Sequence, residues 1–157
     1  KETPFQIMDW RFIEEHDSEW LLQISKEHHK ESDWSEVTYS EDKVKNYIHA
    51  ATNDPNYFGI VLEEKDKRIG FMAGKLLEYP FSYELFAREL DLYVVPKHRK
   101  GKAGMFMMKK FIDWAKGNKA LEIVFEPRLS DKHIKKFDAM AKRLGMSHFA
   151  NAYRRKL

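Results

Sequence analysis

Two rhythms of apolar residues succeed one another along this chain and predict a mixed α/β domain. Phe5 to Trp10 reads as a first strand, and Asp17 or Ser18 can cap a helix carrying Trp20, Leu21 and Ile24. From Ser40 onward Val44, Tyr47, Ile48 and Ala51 share one helical face, although Ser40 with Lys43 lacks the full capping box. Asp54-Pro55-Asn56 is a turn, and Tyr57 to Glu63 and Arg68 to Glu78 read as a hairpin across Glu64-Lys65-Asp66-Lys67. Glu89 to Val95 alternates until Pro96 stops it, and Met105, Met108, Ile112 and Ala115 then recur at helical spacing. Ala120 to Phe125 is a further strand. Asp131 caps a helix with Ile134, Phe137, Ala141 and Leu144 on one side, Gly145 ends it, and Phe149 to Arg155 is the last strand. The order is β-αα-βββ-α-β-α-β within one domain, residues 1–157, with no repeat or low-complexity tract. Strand-loop-helix units alone do not separate it from other α/β folds.

The segment from Glu89 to Ala115 carries the strongest chemical signal. Arg99 to Gly104 packs two glycines and three cations into the loop between strand and helix. Such a loop presents free backbone N–H groups and a positive helix terminus, which together suit a phosphate or pyrophosphate. A solvated surface loop is the alternative.

These residues resemble the GCN5-related N-acetyltransferases (GNAT family). Their signature is Arg or Gln, two residues, Gly, one residue, then Gly or Ala, after a strand ending in a Val-x-Pro-like segment. Val94, Pro96, Arg99 and Gly104 match it, and Lys102 stands where the first glycine is usual. Met107-Met108 and the run Phe111 to Ala115 fit the helix that follows. Glu89, Leu90, Leu92, Tyr93, Val94, Pro96 and Arg99, with His29, Glu31 and Ser32 and the closing Tyr153-to-Leu157 segment, are similar to a branch often borne by phages, which also lacks that glycine.

The resemblance implies a central twisted, mostly antiparallel sheet flanked by helices, and acetyl-CoA as co-substrate. Tyr93, Val94 and Val95 would run beside the pantetheine arm, with the Val94 N–H facing the oxyanion. Arg99, Lys100, Gly101, Lys102, Ala103, Gly104 and Met105 would hold the pyrophosphate mainly through main-chain N–H groups. Those donors tolerate Lys102 if its φ is helical. Lys132, Lys135 and Lys136 are candidates for the adenosine 3′-phosphate, with a solvated helix face as the alternative. The acceptor site would form from His28 to Tyr39 and the strand ends near Glu78 to Phe86, with Glu31, Ser32, Trp34 and Glu78 as binding residues. Glu31, Asp33, Trp34 and Glu36 are acidic and aromatic, as a cationic amine requires; simple packing of Trp34, Phe81 and Phe86 is the alternative.

Charge adds a gradient. The net charge is +3, yet residues 1–90 hold 11 Lys and Arg against 19 Asp and Glu, while residues 91–157 hold 17 against 6. A basic half suits an anionic cofactor and an acidic half a cationic acceptor, although solvated faces also drift in charge. The acidic half argues against a nucleic-acid binder built on Lys97 to Lys102 and Arg154 to Lys156. The absence of cysteine excludes disulfide scaffolds, Cys-based zinc sites and thiol catalysis, and implies direct transfer without a thioester-linked enzyme. His28-His29 has no third ligand at metal spacing, so no metal is expected. No apolar run approaches the roughly 20 residues of a membrane span and no signal-peptide pattern opens the chain, so the expectation is a cytoplasmic protein with no membrane partner, monomeric or homodimeric.

Acyl transfer to an alkylamine, whose pKa lies near 10, needs a route for a proton. Glu89 and Asp91 alternate along the signature strand and share a face with Tyr93 if the strand is unbulged, so either can be the base; a water chain is the third option. Their non-catalytic alternative is an ion pair with Lys75 or Arg88. Many family members place a tyrosine four residues before the glycine that ends the last helix, where Ala141 stands here. Tyr153 is the remaining candidate acid, with sheet packing as its alternative. The Ala141 departure leaves open a non-catalytic module that binds CoA or a protein.

Overall fold

The computed structural model describes residues 8–127, 131–150 and 152–157, and only the backbone of 131 and 132. The described residues form five strands: β1 (Asp9–Phe12), β2 (Tyr57–Glu64), β3 (Lys67–Glu78), β4 (Leu85–Val94) and β5 (Ile123–Val124). They pair in the order β1-β2-β3-β4-β5, antiparallel except for the parallel β4–β5 pair. Four helices accompany them: α1 (Ser18–Glu31), α2 (Glu41–Asn53), α3 (Ala103–Gly117) and α4 (Asp131–Arg143). One core cluster joins Phe58, Ile60, Leu62 and Met72 to Met107 and Phe111 of α3. The other joins Val61, Phe71 and Tyr93 to Leu21 and Ile24 of α1 and Ile48 of α2. The mixed sheet is therefore covered on both faces, which explains why β2 reads as an unbroken buried run from Phe58 to Leu62.

Local chemistry sets the boundaries. Lys65 and Asp66 adopt φ of 50° and 61°, the paired left-handed residues that let a two-residue turn follow the twist of the β2–β3 hairpin. Ser40 caps α2 by accepting from the Lys43 N–H at 3.3 Å. Gly145, at φ 75°, follows α4, and the Met146 N–H returns to the Ala141 carbonyl. Asp17 precedes α1 without capping it. Its fully buried carboxylate accepts instead from Arg11 Nη1 and Nη2, Arg68 Nε and the Glu14 N–H, all at 2.7–2.9 Å. These donors hold its pKa well below the usual carboxylate range against the opposing effect of burial.

Three expectations need correction. The buried stripe of α3 is Ala103, Met107, Met108, Phe111 and Ala115: Met108 and Ala115 of the expected row are in it, while Met105 and Ile112 are only partly buried and Met107 and Phe111 take the core positions. The first strand is Asp9–Phe12, and Phe5 to Ile7 lie outside the described residues. The expected final strand does not form among the described residues of 149–155; Asn151 lies outside them. Phe149 and Tyr153 are 74% and 95% exposed, so the alternation there meets no apolar surface to cover. Lys156 instead pairs with Glu36 in the α1–α2 link. The expected Asp131 cap involves a side chain outside the described residues.

A bulge in β4 positions the site. Ala73 faces Asp91 across the sheet, but its neighbour Gly74 faces Glu89, leaving Leu90 as the extra residue. Glu89 thus shares the α3 face with Gly74, where an added Cβ would lie 2.2 Å from the Phe111 ring. Asp91 is turned to the α1 face beside Tyr93 and Phe71. The two carboxylates expected on one face are on opposite ones.

Candidate active site

β4 pairs with β5 only at Ala87 and Arg88 and then runs on to Val94. The opening beyond β5 is a cavity of about 550 Å³. Leu92 and Val94 of β4 form one wall, Arg99, Gly101, Gly104 and Met105 the floor, and His133, Lys136, Phe137 and Met140 of α4 the far wall. Lys102, at φ −93° and ψ 2°, sits just before α3 without left-handed strain, so no glycine is required there. No side chain caps the N-terminus of α3.

Five of the expected cofactor residues line this cavity: Val94, Arg99, Gly101, Gly104 and Met105. Tyr93 is buried on the other face against Phe71. Val95 donates its N–H to the Ile69 carbonyl, and Ala103 is in the core. Lys100 and Lys102 are exposed. The Arg99 side chain turns back over β4. Its Nε donates to the Val94 carbonyl at 2.7 Å, its Nη2 meets Glu31 at 2.8 Å, and its guanidinium lies 5.0 Å from the Tyr93 ring centre. Lys136 donates to the Arg99 carbonyl. Lys135 is exposed, and the Lys132 side chain lies outside the described residues.

A second cavity, of about 450 Å³, opens between the other face of the sheet and α1 and α2. Ser32, Trp34 and Asp91 line it, together with Leu90, Phe71 and Tyr39. Glu31 lines the first cavity instead, while Glu78 and Tyr153 line neither. His28 and Ser32 line both.

His28 was expected only as the start of the acceptor link, and its pairing with Asp91 is what sequence reasoning missed. Its Nδ1 meets Asp91 Oδ1 at 2.8 Å, and its ring packs 5.0 Å from that of Tyr93. Burial disfavours the imidazolium, but the hydrogen bond and charge of Asp91, helped by Glu31, outweigh it and raise the His28 pKa above its ordinary 6.5. The only available sequence signal was helical phase: His28 lies four residues beyond Ile24 and seven beyond Leu21, on the buried face of α1. The dyad is chemically a proton carrier with its tautomer fixed by a carboxylate. Among the described residues no group of three His, Asp or Glu gathers as metal ligands do, and no helix is long and apolar enough to cross a membrane.

A five-stranded mixed sheet with a short parallel pair beside a basic loop and helix is the architecture that the comparisons assign to a family. The model of the acetyltransferase (GNAT) family matches residues 10–137. The chain belongs to that family. No curated protein matches the sequence. Among solved structures it resembles a GCN5-related N-acetyltransferase from Ralstonia eutropha, with TM-score 0.75, 18% identity and coverage of 96% of this chain and 99% of that one. A predicted acetyltransferase with acetyl-CoA from Clostridium acetobutylicum gives TM-score 0.74 at 15% identity, covering 96% of each. An aminoglycoside acetyltransferase from an uncultured soil metagenomic sample, in complex with sisomicin, gives 0.69 at 14% identity, covering 96% and 97%. At these identities the likeness concerns the fold; the family rests on the match over residues 10–137, and the phage-borne branch has no support.

Proposed function

We propose that this chain is an N-acetyltransferase that moves the acetyl group of acetyl-CoA directly to a primary amine. The observation that carries the reading is that two cavities on opposite sides of β4 are both lined by one titratable residue, His28, whose Nδ1 meets Asp91 in the second. Acetyl-CoA would lie in the cavity of Val94, Gly101 and Gly104, its pyrophosphate against the main-chain N–H groups at the start of α3. Arg99 would brace this loop against β4 and α1, leaving the phosphate contacts to the backbone. The thioester supplies an activated carbonyl carbon.

Asp91 fixes the His28 tautomer, leaving Nε2 to accept one proton from the amine, already neutral after losing its ammonium proton to water, as its nitrogen attacks from the second cavity. The new N–C bond replaces the C–S bond. The same imidazolium, bordering both cavities, returns its proton to the departing thiolate. A thiolate with pKa near 8.5 is also a competent leaving group by itself, so neither Ala141 nor the exposed Tyr153 stands in the way. Glu89, on the α3 face, is the less suited base.

Calorimetric titration with acetyl-CoA, with ATP as control, tests the reading. Micromolar binding of acetyl-CoA and thiol release with an amine are expected. Absence of binding overturns it, and binding without turnover of any amine or peptide would make the chain a CoA-binding module.

A further inference from the structure

The acceptor cavity is more selective than the acidic link at its rim suggests. Its floor is Ile13, Leu21, Val44, Ile48, Ala51 and Phe71. Its polar groups are largely engaged within the protein. Ser25 Oγ and the Tyr39 hydroxyl share a hydrogen bond of 2.6 Å, His29 Nε2 donates to the Val37 carbonyl at 2.7 Å, and Ser32 Oγ donates to the His29 carbonyl at 2.8 Å. Asp91 is the one carboxylate that lines the cavity among the described residues. Glu31 faces the other cavity and is bound by Arg99, and Glu36 is paired with Lys156. Lys75 places its ammonium 5.0 Å from the ring of Tyr57, another lining residue. A second or third cationic centre would meet an apolar wall with no further lining carboxylate among the described residues, where an unpaired charge is strongly disfavoured.

We propose that the acceptor is a primary amine with one positive charge on an apolar, aromatic-sized body, such as an arylalkylamine, its nitrogen at Asp91 and His28 and its body against Phe71, Val44 and Ile48. The inference rests on the acetyltransferase reading of the same site. It separates this chain from acceptors with many ammonium or hydroxyl groups, which need a lining of carboxylates and free hydrogen-bond partners.

The test is a series of acceptors with the wild-type protein and acetyl-CoA: propylamine, hexylamine, 2-phenylethylamine, spermidine and kanamycin. Each methylene buried is worth about a fourfold gain, so kcat/KM should rise by about that factor per carbon from propylamine to hexylamine. 2-Phenylethylamine should rank with hexylamine, and spermidine and kanamycin should fall below both. A flat alkyl series, or preference for spermidine or kanamycin, overturns the inference while leaving the acetyltransferase reading intact. If no amine is turned over, calorimetry with 2-phenylethylamine alone decides: binding supports the cavity's assignment and no binding overturns it. Val44→Trp should fill the cavity, abolishing phenylethylamine turnover while acetyl-CoA binding in the same sample reports an intact fold. Undiminished phenylethylamine turnover in that folded variant also overturns the inference.

Discussion

The two cavities beside β4 are built in opposite ways. The one beneath α3 and α4 owes its floor to backbone: a strand that outruns its parallel neighbour, a loop without left-handed strain, and an uncapped helix terminus. The one beneath α1 and α2 is made of side chains from several distant elements, Ile13, Leu21, Ile48, Phe71 and Asp91 among them. Backbone sites constrain a short contiguous stretch of sequence, so the first cavity leaves a motif. Side-chain sites constrain only a sum of shapes and charges, so the second leaves none.

The sharpest way to break the comparison is at Gly104. An added Cβ would face only Met140, at 3.8 Å, so the backbone there accommodates a side chain that would then fill the cavity. Gly104→Trp should abolish acetyl-CoA binding by calorimetry; unchanged affinity would mean that this cavity is not the cofactor site. On the other side, His28→Gln should lower kcat by about 10²–10⁴-fold with acetyl-CoA affinity preserved. A variant as fast as wild type would remove His28 from the chemistry.

A third experiment asks whether a carboxylate's surroundings decide its role. Asp17 and Asp91 both accept from basic side chains, but Asp17 is wholly buried between two arginines while Asp91 is half-buried against one histidine. Asp17→Asn should lower stability by about 3 kcal/mol, since it takes the carboxylate from Arg68 and leaves Arg11 with Glu63 alone among the described residues. That corresponds to roughly 10 °C in Tm for a chain of this size. Because the folded-state pKa of Asp17 is depressed, its contribution is present above about pH 4 and fades as pH falls toward that lower value. Equal acid sensitivity in wild type and variant would contradict this. The kinetics of the folded variant should change little.

The element order and the loop of Arg99 to Met105 were legible because strand alternation, helical spacing and turn glycines act over a few residues. The bulge at Leu90 was not. It lies opposite Ala73 and Gly74, where the Phe111 ring leaves no room for a Cβ on residue 74, a contact between elements far apart in sequence. By reversing the facing of β4, that one residue parts Glu89 from Asp91 and brings Asp91 to His28. Within α1 only helical phase, in register with Leu21 and Ile24, marks His28 out from His29, whose Nε2 donates to the Val37 carbonyl. The last strand misled for a related reason: Phe149 and Tyr153 alternate as strand residues do, but periodicity cannot reveal that no surface waits to be covered.

The central claim is that Asp91 acts through His28, and the pH–rate profile of Asp91→Asn tests it most directly. Asp91 raises the His28 pKa, and the base must be neutral, so wild-type kcat/KM should fall with decreasing pH through a value above 6.5. In Asp91→Asn that acidic limb should move to lower pH and the plateau should drop, while Glu89→Gln should leave the limb in place. An unmoved limb in Asp91→Asn, or one removed by Glu89→Gln, would contradict the account.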